Sequence, residues 1–354
     1  MENKSNTLVI LTPAFPARES EDTWVVSQQL FVKTAKKIFP GLHIIVLSFF
    51  YPYHDSPYVW NTIPVLPFDG MKKRKLKRVL LWRQIWKKLK IINYENKIVG
   101  IFSFWCGECA LIGRYFARSN GLTHLIWICG QDARATNKWI KIIRPQADEL
   151  VAMSQFLARE FFKNHKIRPG YIIPNGIEPG MFSNVLKQKD IDILGAGSLE
   201  IPKQYNVQVK VVASLQKSYP EIKSLHAGMG PEKENLQALV RELKLERNFS
   251  LLGVKTHPEV LELMQRTKLF LHPSLYEGFS TVCLEALYAG AHVISFCHPG
   301  EKAIPHWHVA DNLEHMKAIA EKILMDPGTD YQPILVHTMN ESVREVMKLF
   351  RIIS

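Results

Sequence analysis

Two glutamates, Glu277 and Glu285, stand eight residues apart in the stretch HPSLYEGFSTVCLEALYAG, residues 272–290. The apolar run Leu269-Phe270-Leu271 precedes them, and an apolar-rich segment ending in Ala289-Gly290 follows. That order reads as a strand, a turn opened by Gly278, and a helix. With the helix starting near Ser280, Glu285 lies about a turn and a half inside it and Glu277 at the tip of the loop. The N–H groups at the helix start, residues 279–281, form a ready anion site. An anion gains nothing from carboxylates, so the two glutamates are better suited to gripping hydroxyl groups. Phosphate and polyol together point to a ligand such as a nucleotide sugar.

Other residue types capable of chemistry carry less. Cys106-Gly107-Glu108-Cys109 has C-x-x-C spacing, but no second pair completes a tetrahedral site, and coincidence is the favoured reading. Asp190-Ile191-Asp192 has the form of a metal-binding D-x-D, yet it begins an apolar strand rather than ending one and reads as structural. His226, His257 and His272 lack ligand-like spacing, although His272 falls at a strand end beside the glutamates. Five cysteines, an odd number, fit reduced thiols rather than a disulfide frame.

The elements that must position Glu277 and Glu285 follow an alternating pattern. The chain has 354 residues, which implies two domains or one large one. Strands are predicted at residues 7–12, 42–50, 63–66, 98–104, 122–129, 149–152 and 171–173. Helices are predicted at 24–39, with Asp22 or Thr23 as N-cap, then at 108–119, 137–143 and 154–164. The pattern loosens over residues 178–189 and then restarts. Strands follow at 192–196, 223–227, 249–252, 269–271 and 292–296, and helices at 206–218, 232–243, 258–266, 312–325 and 340–350. Alternation of this kind implies two Rossmann-like doubly wound α/β domains facing a cleft, with ligands at strand C-terminal ends. The expected domains are 1–180 and 181–340, with a final helix, 341–354, packing back on the first.

Net charge is +12, and residues 71–90 hold ten Lys or Arg with no acid. Val79, Trp82, Ile85, Trp86 and Leu89 fall at helical spacing within them, so a basic amphipathic helix is predicted. Its apolar stripe either packs in a core beneath a solvated basic face or meets an anionic membrane surface. Nucleic acid is disfavoured, since no nucleic-acid motif accompanies the helix. No apolar run reaches the length of a membrane span, and the first residues do not make a convincing signal peptide. A cytoplasmic location, at most peripheral to the inner face of a membrane, is the expectation.

With these residues in hand, the chain resembles retaining glycosyltransferases of the GT-B fold, family 4 type (glycosyl transferases group 1). The main mark is Glu277 and Glu285 within PSxxEGFSxxxLEAxxxG. Pro174-Asn175-Gly176-Ile177-Glu178, Gly195 to Lys203, Gly228-Met229-Gly230-Pro231 and Leu252-Gly253 fall in the family's order. Phe104-Trp105 through Gly130-Gln131-Asp132 is similar to its acceptor-side region. The resemblance implies sugar transfer from a nucleotide-sugar donor to a glycan or lipid-linked acceptor in surface polysaccharide biosynthesis. It implies that the second domain holds the donor and the first the acceptor. Glu285 would bond the ribose. Glu277 and the N–H groups of Gly278, Phe279 and Ser280 would hold the sugar and phosphate. Gly197 belongs to the same donor set, and Lys203 would face the diphosphate. A cation and a helix N-terminus aimed at the leaving group stabilise its growing charge, so neither a metal nor a separate cofactor is expected.

The chain departs from the family in three places. Ser198 stands where an arginine is usual, five residues before Lys203. Residues 13–23 contain no glycine and carry Glu19, Glu21 and Asp22, which would repel a diphosphate and suit the acceptor instead. Cys129 occupies the place of a frequent histidine, leaving Asp132 as the group to deprotonate an acceptor. Asp132 is equally well read as a turn or N-cap residue, and Lys203 as a surface lysine. Two other classes stay open: a GT-B-like sugar-nucleotide epimerase and a non-catalytic sugar-binding subunit.

Overall fold

The computed structural model describes residues 4–73, 76–185, 187–297, 300 and 303–353. The chain divides into two compact units, one of Met1–Asn175 with Met339–Ser354, the other of Gly176–Thr338.

Unit 1 runs β1 (Asn6–Ala14), α1 (Val26–Ile38), β2 (His43–Tyr51), β3 (Tyr58–Trp60), β4 (Ile63–Pro67), α2 (Leu76–Glu95), β5 (Lys97–Phe104), α3 (Glu108–Asn120), β6 (His124–Ile128), α4 (Trp139–Ile143), β7 (Leu150–Ala152), α5 (Gln155–His165) and β8 (Tyr171–Ile172). The sheet order is β3-β4-β2-β1-β5-β6-β7-β8. Every pair is parallel except β3 with β4. β3 has no counterpart among the expected strands, because its three residues sit in an aromatic, proline-punctuated stretch with no periodicity of its own. Ser154 caps α5 as its sequence implies, accepting from the Leu157 N–H at 3.1 Å.

Unit 2 runs β9 (Ile191–Ala196), α6 (Asn206–Leu215), β10 (Ser224–Ala227), α7 (Lys233–Glu242), β11 (Phe249–Gly253), α8 (His257–Gln265), β12 (Thr267–His272), α9 (Thr281–Tyr288), β13 (His292–Ser295), β14 (Trp307–Val309) and α10 (Leu313–Met325). Its strands are all parallel, in the order β11-β10-β9-β12-β13-β14. Both faces of such a sheet must be covered. In β12, Leu269 and Leu271 join the core under α6 and α10, while Phe270 joins the core under α8 and α9. All three are fully buried, and each side chain contributes roughly 2 kcal/mol by leaving water. Strand order reverses between β9 and β12, so the loops leaving these two strands frame the switch point where α/β sheets place ligands.

α11 (Met339–Leu349) returns to unit 1 and packs on α1, and Ser342 Oγ donates to the Pro174 carbonyl at 2.8 Å. Gly100 on β5 makes room for the residue just after it: a Cβ there would sit 2.2 Å from the Phe350 ring.

Two expectations need correction. α1 is entered through Val25, in the left-handed conformation at φ 45, and neither Asp22 nor Thr23 caps it. The preceding loop is tied instead by Gln29, whose Nε2 donates to the carbonyls of Glu21 and Trp24. α2 buries Leu81, Ile85, Leu89 and Ile92, so Val79 is not part of the core stripe. Val79 is 47% exposed, alongside Leu76, Leu80, Ile91 and Tyr94, on a surface that also carries Lys77, Arg83, Lys87 and Lys90. Of the basic stretch 71–90, Arg74 and Lys75 lie outside the described residues.

Candidate functional site

β12 delivers His272 to the switch point with its side chain almost fully buried, and the loop beyond returns Glu277 to it. Glu277 Oε1 accepts from His272 Nε2 at 3.0 Å and from Lys203 Nζ. Ser280 Oγ lies 3.4 Å from the same His272 nitrogen. Burial pushes the Glu277 carboxyl up, but the His272 hydrogen bond and the charges of His272 and Lys203 prevail and hold it down to about 2. Glu277 is therefore an anion at any physiological pH. Gly278, Phe279 and Ser280 lead directly into α9, which begins at Thr281 with Ser280 in the cap position. The positive end of the α9 dipole thus faces the Glu277 loop.

Lys203 comes from the neighbouring strand. After β9 the chain passes Gly197, at φ 142, and makes a short 3-10 turn over Ile201–Lys203. Tyr205, buried beyond that turn, donates its hydroxyl to the Ala196 carbonyl at 2.8 Å and pins the loop to the strand end. The backbone is crowded here: a Cβ on Gly228 would sit 1.9 Å from the Gly197 oxygen. Gly197 N–H bonds the Ala227 carbonyl at 2.9 Å, and Gly228 N–H bonds that of Gly253 at 2.8 Å. Three strand ends are so joined beside Lys203, and at Gly228 there is no room for a side chain.

Glu285 lies in α9 and is 5% exposed. A carboxylate at that depth needs a partner. His257, the first residue of α8, supplies one, its Nε2 lying 2.7 Å from Glu285 Oε1. Sequence reasoning passes over His257 because it looks for metal-ligand spacing. The available signal is the capping box Thr256-x-x-Glu259, which fixes where α8 starts and so where His257 points.

Unit 1 holds the other singled-out residues. Asp132 closes a 3-10 turn after β6, is 4% exposed, and accepts from the Cys129 N–H at 2.8 Å. Burial raises its carboxyl to about 7, with the N–H groups of Cys129 and Cys106 acting in the opposite direction. In the acidic loop after β1, Glu21 accepts from the Ala17 N–H at 2.9 Å and the Tyr51 hydroxyl at 3.0 Å. Glu19 accepts from the Asn61 N–H at 2.7 Å, so both acids hold the loop in shape. Cys106 and Cys109 are buried, and burial pushes both thiols well up, the opposite of a reactive pair. Asp190 pairs with Arg266 Nε at 2.8 Å and Asp192 with Lys268 Nζ at 2.8 Å, as structural acids do. Among the described residues no group of three or more His, Cys, Asp or Glu could hold a metal ion.

Lys203, Gly197, Glu277 and the Gly278–Ser280 segment thus share the switch point of unit 2, with Glu285 in the adjoining helix. Asp132 belongs to unit 1. Residues 177–323 match the family model described as glycosyl transferases group 1. The chain is 23% identical over 256 residues to the phosphatidylinositol N-acetylglucosaminyltransferase gpi3 subunit of Schizosaccharomyces pombe, covering 70% of this chain and 56% of that protein. It is 27% identical over 247 residues to the N-acetylgalactosamine-N,N'-diacetylbacillosaminyl-diphospho-undecaprenol 4-alpha-N-acetylgalactosaminyltransferase of Campylobacter jejuni, covering 66% of this chain and 62% of that one. The match therefore spans less than two thirds of either relative. HepE of Anabaena, solved in complex with UDP and glucose, has a similar fold, with TM-score 0.68 and 14% identity over 98% of this chain and 95% of its own. The Glu277–Glu285 frame thus stands at the switch point of unit 2, within the stretch that resembles the glycosyl transferases group 1, and the chain's two parallel-sheet units have the GT-B fold.

Proposed function

We propose that the protein transfers a sugar, with retention at the anomeric carbon, from a nucleotide-sugar donor to a glycan or lipid-linked acceptor in surface polysaccharide synthesis. The observation that carries this reading is the pairing of Lys203 with Glu277 at the switch point of unit 2, ahead of the α9 N-terminus. In that reading the donor diphosphate takes Lys203 and the N–H groups of Gly278, Phe279 and Ser280, near Gly197. Glu277 turns to the hydroxyls of the donor sugar, and Glu285 to the ribose. As the sugar–phosphate bond lengthens, charge grows on the diphosphate, where Lys203 and the helix dipole stabilise it without a metal ion. Unit 1 supplies the acceptor side. Asp132 enters there as a group titrating near neutrality, the range a general base needs, and it would leave Cys129 N–H to meet an acceptor hydroxyl. The exposed apolar and basic residues of α2 suit a protein that works at an anionic membrane surface, where a lipid-linked acceptor resides. Among the described residues no helix is long and apolar enough to cross a membrane.

The test is nucleotide binding. UDP and a panel of UDP-, GDP- and ADP-sugars are titrated calorimetrically into the wild type and Glu285→Ala. The variant is expected to lose at least about ten-fold in affinity, or about 1.4 kcal/mol. Unchanged affinity would remove Glu285 from the site and the donor reading with it.

A further inference from the structure

Glu285 is almost wholly buried, and His257 Nε2 reaches its Oε1 at 2.7 Å. His257 is itself 9% exposed, so the bond is shielded from solvent competition. The backbone that carries the imidazole is fixed in turn. Thr256 Oγ1 accepts from the Glu259 N–H, and Glu259 Oε2 accepts from the Thr256 N–H at 2.8 Å, which sets the first turn of α8. Thr256, Glu259 and His257 stand on one element and Glu285 on another, α9, and the two helices pack together.

A carboxylate that grips a vicinal diol must satisfy two conditions. It must be ionised, so that both oxygens accept, and its plane must be fixed relative to the two hydroxyls. A buried carboxylate with no partner fails the first, because burial favours the protonated form, which donates where an acceptor is needed. It fails the second because rotation about the terminal carboxylate torsion is soft. The His257 bond is the partner such a carboxylate needs, and it fixes Oε1, leaving Oε2 and the remaining lone pair of Oε1 in a defined direction.

We infer that His257 is a positioning residue whose bond to Glu285 gives this protein its selectivity for a ribose, rather than a deoxyribose, nucleoside diphosphate. The inference rests on the reading of Glu285 as the ribose-binding group. His257 does not touch the nucleotide; it acts through the carboxylate. Loss of the imidazole therefore weakens recognition of the sugar hydroxyls while contacts to the diphosphate stay as they were.

The experiment uses the full chain and measures Kd for UDP, 2'-deoxy-UDP and inorganic pyrophosphate, with GDP and 2'-deoxy-GDP run in parallel. His257→Ala, His257→Gln and Glu285→Gln are compared with wild type, and the melting temperature of each is recorded without ligand. The wild type is expected to prefer the ribonucleotide about ten-fold or more. His257→Ala should lose most of that preference while binding pyrophosphate and the deoxynucleotide as before. His257→Gln, which restores an N–H donor, should recover most of it. Three results would overturn the inference: an unchanged ribose preference in His257→Ala, equal loss of all three probes, or no rescue by glutamine. A preference that survives Glu285→Gln would instead remove the donor reading itself, whatever His257 does.

Discussion

Replacing Asp132 by asparagine isolates a single buried charge. The carboxyl is moved from 3.8 to about 7 by burial. The sign follows from linkage. A group whose folded-state pKa is raised takes up a proton on folding between the two values, so its stabilising contribution is complete below 3.8 and is lost as pH rises through about 7. A ten-fold change in proton affinity is worth about 1.4 kcal/mol, so the whole rise amounts to about 4 kcal/mol, of which about 3 falls between pH 5 and pH 8. With the residue only 4% exposed, solvent screening does little to reduce this. Asparagine keeps an oxygen for the Cys129 N–H and removes the titration. Of the eight tryptophans all but Trp307 lie in unit 1, so tryptophan fluorescence during urea unfolding reports mainly on that unit. The stability of Asp132→Asn relative to the wild type should rise progressively from pH 5 to pH 8, by about 3 kcal/mol in all. Parallel stability curves across this range would refute the reasoning, because they would mean that Asp132 is either hydrated or already charged in the folded protein.

Glu277→Gln removes the anion that occupies Lys203 in the unliganded protein. UDP should bind roughly five-fold more tightly, about 1 kcal/mol for a partly exposed pair, while sugar transfer falls by about 100-fold or more. Calorimetry and a turnover assay with the bound donor give the two numbers, and a parallel fall in both would contradict the exchange of Lys203 between carboxylate and diphosphate. On α2, Lys87→Ala with Lys90→Ala should lower binding to phosphatidylglycerol vesicles by about 30-fold, at about 1 kcal/mol per charge, and leave phosphatidylcholine binding unchanged. Equal sedimentation of variant and wild type with the anionic vesicles would leave the outer face of α2 without a membrane role.

The alternation of elements is readable from the sequence because parallel strands buried on both faces are continuous apolar runs, as Leu269-Phe270-Leu271 is. The turn into α9 is readable because Gly278 and the apolar segment after it mark a strand-to-helix junction. What is not readable depends on contacts distant in the chain. Lys203 and Glu277 are 74 positions apart, and His257 and Glu285 are 28 apart, so no local pattern reveals either bond. Spacing puts Val79 on the inward face of α2, wrongly, because apolar residues occur on several sides of that helix. Periodicity gives a face only when the opposite face is polar. The state of Asp132 is set by how deeply the turn sinks into unit 1, which no sequence pattern records. Val25 enters α1 through a left-handed conformation that β-branched residues rarely adopt, against the capping preference of Asp22 and Thr23.

The return of α11 to unit 1 has a bearing on how the chain is made. Unit 2 is an insertion within unit 1, entered after Asn175 and left after Thr338. Its two ends are clasped together by the Ile177 N–H bonding the His337 carbonyl at 3.1 Å, so the inserted body closes on itself. On the ribosome, all of unit 2 emerges before Met339, while the strand carrying Gly100 still awaits the Phe350 ring that fills the space over it. The later-synthesised body can therefore complete its core first, and the earlier one becomes whole only when its last helix arrives.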